Sequence, residues 1–115
     1  RNAEKTIDFY VNVLGFRIRS RKEMKVPPMN EIVYIELGDT VLEIISVDEP
    51  KPKSNSPWEV GYRGIALEVD NMATAMNYLK DKGIAMVQEP IDLGNSFRGE
   101  IRDPDGLIIE LRQWK

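Results

Sequence analysis

The chain has 115 residues, 16 of them Lys or Arg against 19 Asp or Glu, with a formal charge of −3 and neither cysteine nor histidine. Disulfides, thiolate metal sites and the Ser-His and Cys-His catalytic pairs are therefore excluded, and the acidic balance argues against a nucleic-acid partner. No run approaches the roughly 18 apolar residues of a membrane span and no signal-peptide pattern is present, so a cytoplasmic protein without a membrane partner is expected.

Asn2 opens the first element. Ile7, Tyr10, Val11 and Leu14 then follow at i, i+3, i+4 and i+7, the spacing of one helical face, and Gly15 stops it. Phe16 and Ile18 alternate with Arg17, Arg19 and Arg21, which predicts a half-buried strand with a basic outer face. Pro27-Pro28 breaks the chain. Glu31 to Leu37 alternates again, and Gly38-Asp39 turns it into Thr40 to Val47 as a hairpin. Asp48 to Pro57 holds three prolines among alternating charges and reads as a linker. Gly64 to Val69 predicts a strand feeding a second helix from Asn71, with Met72, Ala75, Met76 and Leu79 at helical spacing before Gly83. Ile84 to Gln88, Phe97 to Arg102 and Leu107 to Gln113 complete the strands, with Asp103-Pro104-Asp105-Gly106 as a tight turn.

The chain reads twice. From Asn2 to Gly15 is 13 residues and from Asn71 to Gly83 is 12; onward, Gly15 to Glu43 is 28 and Gly83 to Glu110 is 27. Each module is strand, helix, then three strands. The first strand of module one would fall before Arg1, so an N-terminal strand is expected to be missing from this chain. The expected layout is an N-terminal module at 1–47, a linker at 48–61 and a C-terminal module at 62–115, together one α+β domain. Its curled mixed sheets would each be backed by one helix and polar on the other face.

Period-two alternation sorts the strands. Val33, Ile35, Leu37, Leu42, Ile44, Ile65, Leu67, Val69, Ile101, Ile109 and Leu111 should face the helices. The averted faces then carry Tyr34, Glu36, Glu43, Gly64, Ala66, Glu68, Glu100, Arg102, Glu110 and Arg112. Converging carboxylates of this kind can bind a cation through oxygen, or one can move protons beside another. Glu43 and Glu110 stand out, each between apolar neighbours and at equivalent places in its module. On an open sheet, the same glutamates would simply be solvated.

Three segments, Ile7 to Phe16, Gly64 to Asp70 and Asp103 to Leu111, together resemble the glyoxalase, bleomycin-resistance and extradiol-dioxygenase superfamily, the vicinal oxygen chelate proteins. The resemblance implies paired βαβββ modules, a homodimer, and a divalent metal (Ni, Zn, Mn or Mg) held by His, Glu, His and Glu. Glu43 matches the first glutamate and Glu110 the second, which is also the implied catalytic base. Gly64 stands where the second histidine is expected. The implied function is a lyase or isomerase of lactoylglutathione-lyase type acting on a small oxygenated substrate, with Tyr34, Glu36, Gly64, Glu68, Glu100, Arg102 and Arg112 lining the pocket. The alternative is a metal-free protein of bleomycin-resistance type that sequesters a cationic drug. In the enzyme reading, Glu110→Gln abolishes turnover with little loss of stability.

Arg17, Arg19, Arg21, Lys22 and Lys25 read chiefly as the charged face of an edge strand. Trp58, Tyr62 and Trp114 read as filling a dimer seam or the edge of the core.

Overall fold

Residues 3–56 and 58–115 are described by a computed structural model; Asn2, expected to open the first helix, lies outside them. The fold is α+β, and the backbone falls into two units, Arg1–Pro52 and Lys53–Lys115.

In the first unit, α1 (Ala3–Asp8) continues as a π-helical turn, Phe9–Val13. The wider winding is marked by Leu14 N–H donating to the Phe9 carbonyl at 3.2 Å. It corrects the expected regular helix, and the buried residues are Ile7, Phe9 and Tyr10, while Val11 and Leu14 of the expected face are half-buried. Tyr10 sits edge-to-face with both Phe9 and Phe16, with centroids 5.5 Å apart in each pair. α1 lies against β3 of an antiparallel sheet ordered β1-β2-β3, with β1 Arg17–Val26, β2 Met29–Leu37 and β3 Thr40–Val47. Pro27-Pro28 does not end β1's pairing. It forms the two-residue turn of a β1–β2 hairpin closed by Val26 opposite Met29.

A bulge in β1 changes which arginines share a face. The register steps from Ile18 opposite Ile35 to Ser20 opposite Tyr34, so Arg19 is an extra residue and the alternation inverts after it. Arg21 therefore leaves the expected basic face. Its guanidinium donates to Glu31 at 2.7 and 2.9 Å and to Glu4 of α1 at 2.6 Å. Those bonds, Glu31's first and Glu4's second, hold the Arg21 guanidinium above its ordinary range, and Arg21 pulls Glu31 below the usual carboxylate range. Val33 and Ile35 are buried, whereas Leu37, expected beside them, is exposed where the strand meets the Gly38-Asp39 turn.

Among the described residues of 48–61 there is no helix or strand. The second unit has β4 Gly64–Glu68, α2 Met72–Asp81, β5 Gln88–Asp92, β6 Ser96–Arg102 and β7 Ile108–Trp114, with sheet order β4-β7-β6-β5. β4 runs parallel to β7, and the other pairs are antiparallel. Asn71 caps α2, its side-chain oxygen accepting from Thr74 N–H at 2.9 Å. At the other end Gly83 takes φ +76°, which a side chain would resist. Ile84 N–H then turns back to the Leu79 carbonyl at 2.9 Å. That return goes with a displaced strand, since Ile84 is drawn back to the helix and pairing to β6 starts only at Val87 and Gln88. Pro90 is tolerated in β5 because β5 is an edge strand.

α2 lies against β7. Met72, Leu79, Ile101, Ile109 and Leu111 are each no more than 4% exposed, and burying side chains of this size stabilises by about 1.5–3 kcal/mol apiece. Asp103 builds the β6–β7 turn, its side-chain oxygen accepting from Asp105 N–H and Leu107 N–H at 2.9 Å each.

Candidate functional site

On the β1–β3 sheet, the face averted from the core carries Tyr34, Glu36 and Glu43, as alternation requires. Tyr34 is directly opposite Glu43 and donates its hydroxyl to Glu43 Oε2 at 2.8 Å. That bond raises the Tyr34 hydroxyl above its ordinary range. Glu36 is ion-paired to Arg17 across the β1–β2 ladder. Val41 and Ile45 flank Glu43 on the same face and are 41% and 47% exposed.

The β4–β7 sheet collects Gly64, Glu68, Glu100, Arg102, Glu110 and Arg112 on one face through the pairings Gly64–Ile108, Glu68–Arg112, Glu100–Glu110 and Arg102–Ile108. Two carboxylates directly opposite each other repel unless a cation stands between them. Arg98 is that cation. Its Nε donates to Glu110 Oε1 at 3.0 Å, its Nη2 to Glu100 Oε2 at 3.3 Å, and its Nη1 to Gln88 Oε1. Arg112 takes the other Glu110 oxygen, Nη2 to Oε2 at 2.7 Å, while Nη1 donates to Ser96 Oγ at 3.2 Å. Glu110 is thus held between two guanidinia, with its side chain 24% exposed. Arg112 also lies 5.0 Å over the Trp114 ring. Its Nε is the buried side-chain nitrogen left without a partner among the described residues.

Sequence reasoning missed Arg98, Gln88 and Ser96. The parity that selects Glu100 and Arg102 on β6 also selects Arg98 and Ser96, so the signal for those two was present. Gln88 needed the β5 register. Arg102 is not in the network, since its Nη1 donates to the Gly106 carbonyl at 3.1 Å and braces the turn. Glu68 is exposed at the far end of β4. Trp58 and Tyr62, expected to fill a seam or the core edge, are 85% and 105% exposed in this chain.

Whether these residues suit a divalent metal is settled by donor chemistry. A Cβ on Gly64 would lie 2.2 Å from the Ile108 carbonyl oxygen, so the backbone there leaves no room for the histidine that the resemblance implies. Both Glu110 oxygens already accept from arginine, and Glu43 accepts from Tyr34. Among the described residues no group of three or more His, Cys, Asp or Glu is arranged to hold a metal. Tight sites for Zn or Ni draw on nitrogen or sulfur donors. The residues present do not fit such a centre.

Comparison with known proteins places this geometry in a family. The lactoylglutathione lyase of Neisseria meningitidis serogroup A is 33% identical over 122 residues, covering 99% of this chain and 84% of that protein. Human mitochondrial methylmalonyl-CoA epimerase is 28% identical over 123 residues, covering 96% of this chain and 66% of that protein. The crystal structure of a glyoxalase family protein from Enterococcus faecalis superposes with a TM-score of 0.86 at 26% identity, covering 96% of this chain and 88% of that one. Residues 1–111 match the Glyoxalase/Bleomycin resistance protein/Dioxygenase superfamily, and with the glyoxalase-like sheets and helices described above, the chain belongs to that superfamily.

Proposed function

We propose that this chain binds a small oxygenated molecule without a metal, at the β4–β7 sheet face around Arg98, Glu110 and Arg112. One observation carries the reading: both oxygens of Glu110 are occupied by arginines, while Arg112 Nε keeps an unsatisfied donor. A buried donor without a partner is costly, and a shift of the Arg112 side chain that opens its Nε to the sheet face would let a carbonyl or carboxylate oxygen from a ligand satisfy it. The same pairing weakens the case for a cationic ligand, because Glu100 and Glu110 already have intramolecular counter-ions.

The test is a thermal-shift and calorimetric panel of small carbonyl and carboxylate compounds, lactoylglutathione among them, run with and without EDTA. The expected result is a ligand that binds equally in both and about tenfold more weakly to Arg112→Lys, the loss of one hydrogen bond to a charged group. Affinity lost on adding EDTA would overturn the reading.

A second reading is favoured by the 33% identity to lactoylglutathione lyase over nearly the whole chain. In it the protein is a lyase or isomerase and Glu110 accepts a proton from substrate once Arg98 or Arg112 releases it. Turnover of the hemithioacetal of methylglyoxal and glutathione, abolished in Glu110→Gln, would establish it; its absence at high enzyme concentration would end it. Either reading is compatible with a homodimer, which the exposed Val41 and Ile45 beside Glu43 support. Sedimentation at micromolar concentration showing only monomer would contradict that assembly.

A further inference from the structure

The second unit also has a pocket on the opposite face of its sheet from Glu110, where α2 begins. It is an open cleft of about 400 Å³ lined by Met72, Met76, Pro90 and Phe97, with the amides of Asn71 and Gln113 beside the start of α2. This volume is within the range of small-molecule sites, which combine an apolar lining with a few placed polar groups. Gln113 and Phe97 are cross-strand neighbours, so the Gln113 amide and the aromatic wall are fixed to one another by the β6–β7 ladder.

The two amides are constrained in a way that gives the pocket a polarity. Asn71 uses its side-chain oxygen on Thr74 N–H at 2.9 Å, and Gln113 uses its own on Met72 N–H at 2.6 Å. Both oxygens are thereby committed to the start of α2, and no described residue accepts from either NH2 group. Both NH2 groups are therefore left to donate to a ligand. Phe97 offers a flat face, and the thioethers of Met72 and Met76 adapt to the outline of whatever lies against them.

We propose that this pocket is a second ligand site, for a flat and mainly apolar molecule that carries one carbonyl oxygen, held by the Asn71 and Gln113 NH2 groups. It is separate from the sheet-face site, because Gln113 and Phe97 have the strand parity opposite to Glu110 and Arg112.

The probe is 2-acetonaphthone, compared with 2-ethylnaphthalene, which has nearly the same shape but no oxygen. The full chain is labelled at its five methionine methyl groups and followed by NMR. Saturable shifts are expected at Met72 and Met76 but not at Met24 or Met29, with 2-ethylnaphthalene about three- to tenfold weaker, the worth of one hydrogen bond. Ala73→Trp, an exposed helical position lining the pocket, should remove the saturable shifts with the far-UV spectrum intact. Gln113→Glu keeps the acceptor for Met72 N–H and loses the NH2, so it should weaken 2-acetonaphthone about three- to tenfold and leave 2-ethylnaphthalene unchanged. Absence of saturable shifts, or their survival in Ala73→Trp, would overturn the site. Equal affinity for the two probes, or a Gln113→Glu variant that binds both as before, would overturn the carbonyl assignment.

Discussion

Gly64 and Glu110 show how far single residues carry the functional argument. The sequence marks Gly64 as the place of an expected histidine, but only the coordinates show that a Cβ there would press on the Ile108 carbonyl at 2.2 Å. Gly64→Ala should force β4 away from β7 and lower stability by about 1–3 kcal/mol, the usual cost of overpacking, readable as a shift in urea midpoint. An unchanged midpoint would mean the strand pair yields freely. Glu110→Gln, which the enzyme reading expects to be nearly silent in stability, should instead cost about 1–3 kcal/mol, because a neutral amide leaves Arg98 and Arg112 without their shared carboxylate. Thermal melting of the variant checks this. Alternation places Glu110 and Arg112 on one face, but nothing in the neighbours of Glu110 reveals that Arg98 of β6 takes its other oxygen.

At the scale of elements, end signals were legible where the chemistry is local. Asn71 and Gly83 bound α2 within a residue or two, and the Gly38-Asp39 turn sets the β2–β3 register. Asn71→Ala should therefore cost about 1 kcal/mol, measured by chemical denaturation. The displaced β5, the π-helical turn after Asp8 and the bulge at Arg19 were not legible, because each follows from packing or pairing beyond the local window. The bulge has a consequence for pH. Glu31 is held below the usual carboxylate range by Arg21, and Asp92 by Lys115 first and then by Gly94 N–H. A carboxyl lowered in the folded state contributes stability above its unfolded value, near 4, and loses it as pH falls through the folded one. Stability should thus decline as pH is lowered from about 4, less steeply in Arg21→Gln, which lacks the Glu31 partner. Equal acid profiles would contradict the linkage. Tyr34 has the reverse sign: its hydroxyl, raised by Glu43, stabilises below about pH 10 and ceases to as pH rises through its folded value. Ultraviolet titration of the wild type against Glu43→Gln should show the Tyr34 hydroxyl ionising at lower pH in the variant.

At the scale of the whole molecule, three short segments in order were enough to imply the superfamily and its α+β fold, and the match over residues 1–111 shows that membership. The candidate site was only half legible, since composition announces the missing histidine but not that Arg98 joins Arg112 on Glu110 or that Tyr34 engages Glu43. That the positions implied by the resemblance as metal ligands are closed or already paired is the central claim, and metal titration tests it most directly. Calorimetry with Ni²⁺, Zn²⁺, Mn²⁺ and Mg²⁺, after elemental analysis of protein purified without chelator, should find no bound metal and no micromolar affinity. Stoichiometric micromolar binding that Glu110→Gln abolishes would contradict it.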